Sequence, residues 1–214
     1  MDNVHLISMG VAADIAGIFW KDRKLFLACN VFLFGLFVLG VLAGMAFPAV
    51  HDQLVQWLKD LTSTGPIGTA STTLEAGDIW LGAWQIFSHN YFVTIVLAAL
   101  PSLIFPPWIL LVFGIQFFAF GIVLSPFSLA HNPASLLSVL GTLVLEGEGY
   151  VIAIFATMRL VEALFWPGRF GEQLALKAYF KAVVDNAKLL VVAGIVLAIA
   201  AVFEAASIVL VLGK

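Results

Sequence analysis

Apolar positions in this chain come in long unbroken stretches rather than in alternation. From Leu25 to Val50 there is no Asp, Glu, Lys or Arg, and from Ile79 to Leu145 there is none for 67 residues. A helix rising about 1.5 Å per residue needs roughly 20 residues to cross about 30 Å of hydrocarbon. The shorter run predicts one span, residues 25–47. The longer one must fold back on itself inside a membrane. Strands of a membrane barrel would alternate in polarity, and these runs are apolar on every face. The pattern therefore predicts an all-α fold: a polytopic transmembrane helical bundle of about five spans with interfacial amphipathic helices.

The interruptions place the remaining boundaries. Residues 1–24 read as a cytoplasmic or interfacial helix ending in the basic cluster Lys21-Asp22-Arg23-Lys24, a loose tail being the alternative. Residues 51–83 form an extracytoplasmic segment. Within it, Gln53 to Leu61 suits a short amphipathic helix, and Thr62 to Thr73 reads as loop. Thr72 and Glu75 have capping-box spacing for a new helix start, and Trp80 and Trp84 suit headgroup-level anchors. Span two is 84–105 and span three 108–124. Pro106-Pro107 between them makes either an antiparallel hairpin or a re-entrant break. Ser125-Pro126 and His131-Asn132-Pro133 delimit a loop before span four, 136–164. Residues 170–188 form a cytoplasmic amphipathic helix, with Gln173, Lys177, Lys181, Asp185 and Lys188 in one polar stripe. Span five is 189–212. All of these belong to one membrane domain, 1–214.

Composition supports that reading and orients it. The chain is 62% hydrophobic and 11% charged, far from the roughly 25% charge of soluble domains. With the N-terminus in the cytoplasm, Lys21, Arg23, Lys24, Arg159, Arg169, Lys177, Lys181 and Lys188 lie inside, and Lys59 and Lys214 outside. This is the positive-inside bias of a plasma-membrane protein. A net charge of −3 gives no basis for nucleic-acid binding.

Candidate chemistry lies in the acids within apolar spans, because a carboxylate near the bilayer centre costs about 2.5–3.5 kcal/mol. Glu146 and Glu148 sit in Leu145-Glu-Gly-Glu-Gly-Tyr150, and Glu204 sits in span five. Two helical steps rotate a side chain by about 200°, so Glu146 and Glu148 point to opposite sides. Glu146 shares a face with Tyr150. These four residues form either a ligand or ion site or a buried structural polar site. Gly147 and Gly149 thin the helix beside them. Gly40 and Gly44 form a GxxxG spacing suited to close helix packing, within the chain or between copies. Arg159 and Glu162 have the spacing of an i,i+3 ion pair.

No cofactor or metal is called for. Cys29 has no partner and reads as a packing residue. His5, His51, His89 and His131 do not pair at ligand spacing, and His89-Asn90 reads as interfacial hydrogen bonding. There is no H-E-x-x-H, nucleophile elbow or phosphate loop, so no enzyme activity is expected.

Several segments together resemble the stage II sporulation protein M-like membrane proteins. They are Phe87-Ser-His-Asn90, Val112-Phe-Gly-Ile-Gln-Phe-Phe-Ala-Phe-Gly121, Leu145-Glu146 with Tyr150-Val-Ile-Ala153, and Val202-Phe-Glu-Ala-Ala206. The family usually has a His-Gly pair before its signature acid, where this chain has Thr142-Leu143. The resemblance singles out Glu146, then Glu204. It implies a non-catalytic bacterial inner-membrane scaffold or complex subunit, assembled with partner proteins or with copies of itself. The intramembrane carboxylates support a second function, a small transporter or channel. An intramembrane hydrolase is a distant third.

Overall fold

A computed structural model of the chain describes the backbone of residues 2–62, 65–125 and 133–212. Side chains are described for 12–60, 68–125 and 137–210. The expected loop around Pro126 and His131, and the side chains of His5 and Lys214, lie outside these residues. Eight helices and no strand make up the described residues. They are α1 (Asp2–Lys21), α2 (Arg23–Ala46), α3 (Pro48–Thr62), α4 (Gly65–Glu75), α5 (Ile79–Ser102), α6 (Trp108–Val123), α7 (Pro133–Phe165) and α8 (Ala175–Ser207).

Helices α2, α5, α7 and α8 are long and apolar enough to cross a membrane. The chain is therefore a membrane protein. Expected span three, α6, has only 16 residues and is about 24 Å long. Rows of exposed apolar side chains cover the outside, such as Val191, Ile195 and Ile199 on α8. Patches this extensive are lipid-facing surface rather than water-facing surface. Exposed Trp20 and Trp166 mark one end of the bundle, and exposed Trp57, Trp80 and Trp84 the other, as aromatic belts at two interfaces do.

Helix α7 is the central post. Every residue from Tyr150 to Thr157 is buried, and α8 packs along its length. Helices α2 and α6 run parallel and cross closely. A Cβ on Gly40 would strike the Phe118 carbonyl oxygen, and one on Gly44 would lie 2.7 Å from the Ile122 carbonyl oxygen. The GxxxG spacing is thus spent inside the chain. Its counterpart on α6 is Gly121, whose missing side chain admits the backbone of Phe37. Gly147 and Gly149 open opposite sides of α7. Gly147 makes room for Phe34 and Phe117, and Gly149 for Leu197.

The hydrogen bonding of α5 changes well before Pro106-Pro107. Residues Val93–Ala99 are π-helical, and Pro101 has no N–H to give to the carbonyl of Leu97. That carbonyl instead accepts the Trp108 indole N–H at 2.7 Å, which pins the start of α6 against α5. Seven or eight residues further out on each leg, Asn90 and Gln116 line the same cavity. The connection is thus an antiparallel hairpin.

Several expectations change. Residues 65–75 are helix α4 rather than loop. The start of α5 is capped by the Asp78 side chain, which accepts from Leu81 N at 3.0 Å, not by Thr72 and Glu75. The amphipathic helix expected at 170–188 begins only at Ala175, because a 3-10 turn over Pro167–Phe170 and Gly171 at φ 74° precede it, and it runs unbroken into span five as α8. Arg159 does not pair with Glu162. Its guanidinium reaches Asp22 at the α1–α2 junction and, at 2.8 Å, Asp185 on α8. Glu162 pairs with Arg169 instead, and Arg169 also reaches Asp22 at 2.8 Å. Lys188 joins Asp14 of α1 at 2.5 Å. Arg159 and Asp22 are both buried. Cys29 is a buried packing residue as expected.

Removing one partner of a buried pair leaves an uncompensated charge. Arg159→Ala should destabilise the protein by about 3–5 kcal/mol, read from unfolding in mixed detergent, with Arg159→Lys restoring only part because it lacks the guanidinium fork. Gly40→Leu should lower the melting temperature through an overpacking cost of about 1–3 kcal/mol or more. Gly35→Leu, placed where nothing lies within 4 Å, should leave it unchanged.

Candidate functional site

Glu146 lies 13 residues from Arg159 along α7, which is roughly 20 Å along the helix axis. The ion-pair ring marks one membrane boundary, so Glu146 sits about two-thirds of the way across the hydrocarbon. Helix α8 runs back beside α7 and brings Glu204 to the same depth. The two carboxyl groups lie close together on the wall of one cavity. From α5, Asn90 Nδ2 donates to Glu146 Oε1 at 2.5 Å. A carboxylate only accepts hydrogen bonds, so two carboxyls in contact must share a proton or have a cation between them.

These groups face a cavity of about 310 Å³. Gln85, His89 and Asn90 of α5 line it, with Gln116 and Phe120 of α6, Glu146 and Tyr150 of α7, and Glu204 of α8. Leu58 of α3 and Ala70 of α4 also contribute, so the helices outside the bundle close over one side. Gln85 and His89 are shared with a more open groove of about 460 Å³ formed with Thr69, Trp84, Ser88 and Phe92. Polar groups therefore lead from the protein surface to the carboxylates.

Tyr150 stacks on Phe113 at 4.5 Å between ring centroids and shares the cavity wall with Gln116. It joins the Glu146 side of α7 to α6. Glu148 does not line this cavity, as its rotation about the helix predicts. Of the four expected site residues, the structure gathers Glu146, Tyr150 and Glu204 and leaves Glu148 aside. Among the described residues, no three His, Cys, Asp or Glu side chains gather as metal ligands.

Three amides of the wall escaped the sequence-based site, Gln85, Asn90 and Gln116; Asn90, expected with His89 to hydrogen-bond at the interface, instead donates to Glu146, and His89 lines the same cavity. A signal for these three exists. They are amides inside a charge-free run, and Gln85 and His89 stand one helical turn apart on α5. Asn90 and Gln116 also fall in the segments that carry the family resemblance. What the sequence does not contain is the hairpin that turns α5 and α6 towards the same point.

No protein-family model, curated protein sequence or solved structure matches the chain.

The cavity should be water-accessible and selective for positive charge. In a Cys29→Ala background, Gln116→Cys should react faster with a cationic methanethiosulfonate reagent than with an anionic one of similar size. Adding Glu204→Gln should shrink that preference, as measured by mass spectrometry over time.

Proposed function

We propose that the protein binds a cationic or proton-donating solute at the Glu146–Glu204 pair and carries it through the membrane as a small transporter or channel. The observation that carries this reading is the meeting of two intramembrane carboxyls on the wall of a polar cavity. Intramembrane acids normally face a partner, a cavity or an ion. Here Arg159, Arg169 and Lys188 are engaged with other acids at one end of the bundle. A proton or cation entering the cavity, which His89 also lines, would complete the pair. Asn90, Gln85 and Gln116 supply further hydrogen-bonding groups, and Tyr150 and Phe120 give the wall its apolar body.

The bacterial inner membrane is the proposed location, with the N-terminus in the cytoplasm. Support comes from the placement of basic residues and from the resemblance to stage II sporulation protein M-like proteins. No catalytic step is assigned.

A scaffold role is the second reading, non-catalytic and within a membrane complex. It is favoured by α1 and α3, two helices outside the bundle that expose Trp20 and Trp57. Such helices offer surfaces to a partner protein or a second copy. In that case the carboxylates act as a structural tie among α5, α7 and α8.

Flux separates the two. Proteoliposomes containing the wild-type protein should take up protons or monovalent cations above the level of empty vesicles. Glu146→Gln and Glu204→Gln should each abolish that excess while the folded protein remains monodisperse. Wild-type flux no greater than empty vesicles, together with a stoichiometric partner recovered from native membranes, would establish the scaffold instead.

A further inference from the structure

We propose that the ligand of this site is an amphipathic primary ammonium: a protonated amine head group on an alkyl or acyl chain. This rests on reading Glu146 and Glu204 as a ligand site and names what they take. A second cavity, of about 340 Å³, meets the first at the same two carboxylates. Its wall is of a different kind. Val123, Leu124, Val139, Leu143 and Ile208 line it together with the hydroxyl residues Ser138 and Thr142, where α6 ends, α7 passes and α8 has just ended. The protein thus holds two chambers joined at a pair of acids, a polar chamber walled by amides and an apolar chamber walled mostly by aliphatic side chains with the Ser138 and Thr142 hydroxyls among them.

The polar chamber suits a head group rich in N–H. A primary ammonium has three donors and no acceptor. Glu146 and Glu204 offer two acceptors opposite its charge. Gln85, on the same wall, keeps its buried Oε1 without a hydrogen-bond partner. That leaves a third acceptor for a third donor. A quaternary ammonium has no N–H to give, and an anion would face two carboxyls. The apolar chamber in turn rewards a hydrocarbon tail, because a small hydrophilic cation would leave it empty. Sites of this volume are of ordinary size for small-molecule ligands.

The test uses the full-length protein in nanodiscs of zwitterionic lipid at neutral pH. Methylamine, hexylamine and dodecylamine compete for tritiated hexylamine in a scintillation-proximity assay. Dodecanol controls for partition into the lipid, and the N,N,N-trimethyl analogue of dodecylamine controls for head-group donors. Each methylene accommodated should tighten binding about fourfold. The trimethyl analogue should bind at least tenfold more weakly than dodecylamine, and dodecanol should not compete. Val139→Trp, which fills the apolar chamber without touching an acid, should flatten the chain-length series and leave methylamine competition unchanged. Glu204→Gln should weaken every amine at least tenfold. Methylamine competition with no gain from chain length would overturn the amphiphile while leaving the carboxylate site standing. Competition by dodecanol equal to that of dodecylamine would also overturn it, since the head group would then play no part. Failure of every amine on folded wild-type protein would overturn the ligand class, and the proton and alkali-cation flux of the Glu146→Gln and Glu204→Gln variants would then decide the carboxylate site separately.

Discussion

The rest of this bundle depends on Arg159. A guanidinium stays charged at any ordinary pH, and this one stands on a helix surrounded by protein. It is tolerable there only if carboxylates come to it. Asp22 arrives from the junction of α1 and α2, and Asp185 arrives from α8. Three elements distant in sequence are thereby held at one height beside α7. Arg169 then binds the free oxygen of Asp22 and ties in Glu162. Because breaking such a pair is far more harmful than forming it is helpful, the ring acts as a register mark. It sets how deep each helix sits as much as how tightly it is held.

That register gives the other polar site its meaning. With Arg159 at the boundary, Glu146 is carried deep into the hydrocarbon, and α8 delivers Glu204 to meet it. The two ends of α7 solve their electrostatics differently. At the boundary, opposite charges meet and neutralise one another inside the chain. Deeper in, like groups meet, with Asn90 as the hydrogen-bond donor from the chain. An acid pair beside a polar cavity is an incomplete arrangement that a proton or a cation completes. The same geometry also holds the fold together, because α5, α7 and α8 converge on it.

Close helix crossings make the convergence possible. Gly40, Gly44 and Gly121 let α2 and α6 touch backbone to backbone, and Gly149 lets Leu197 of α8 press against α7. The hairpin of α5 and α6 is set by a different device. Pro101 releases the carbonyl of Leu97, and Trp108 takes it. Gln116 and Asn90 reach one cavity because of that turn. Where local signals misled, a competing interaction explains it. The Ser-, Thr- and Gly-rich stretch 65–75 becomes helix because Leu74 is buried against α5, whose Gly82 leaves room for it. Asp78, just before the apolar helix, displaces Thr72 and Glu75 as its cap. Arg159 ignores Glu162, three residues away, because Asp22 and Asp185 lie buried within its reach.

The sequence by itself determined that this is a helical membrane protein, roughly where its spans lie, and that Glu146 and Glu204 are out of place in them. Those conclusions depend on transfer free energies and run lengths, which are properties of the chain in one dimension. It also determined that Glu148 would face away from Glu146, since helical rotation alone decides that. The tertiary structure decided that Glu204 meets Glu146, that Asn90, Gln85 and Gln116 join them, and that Arg159 pairs across the bundle. It also decided that the GxxxG spacing is used internally. Each of these depends on how helices are rotated and staggered against one another, and that is set by side-chain packing between segments tens of residues apart.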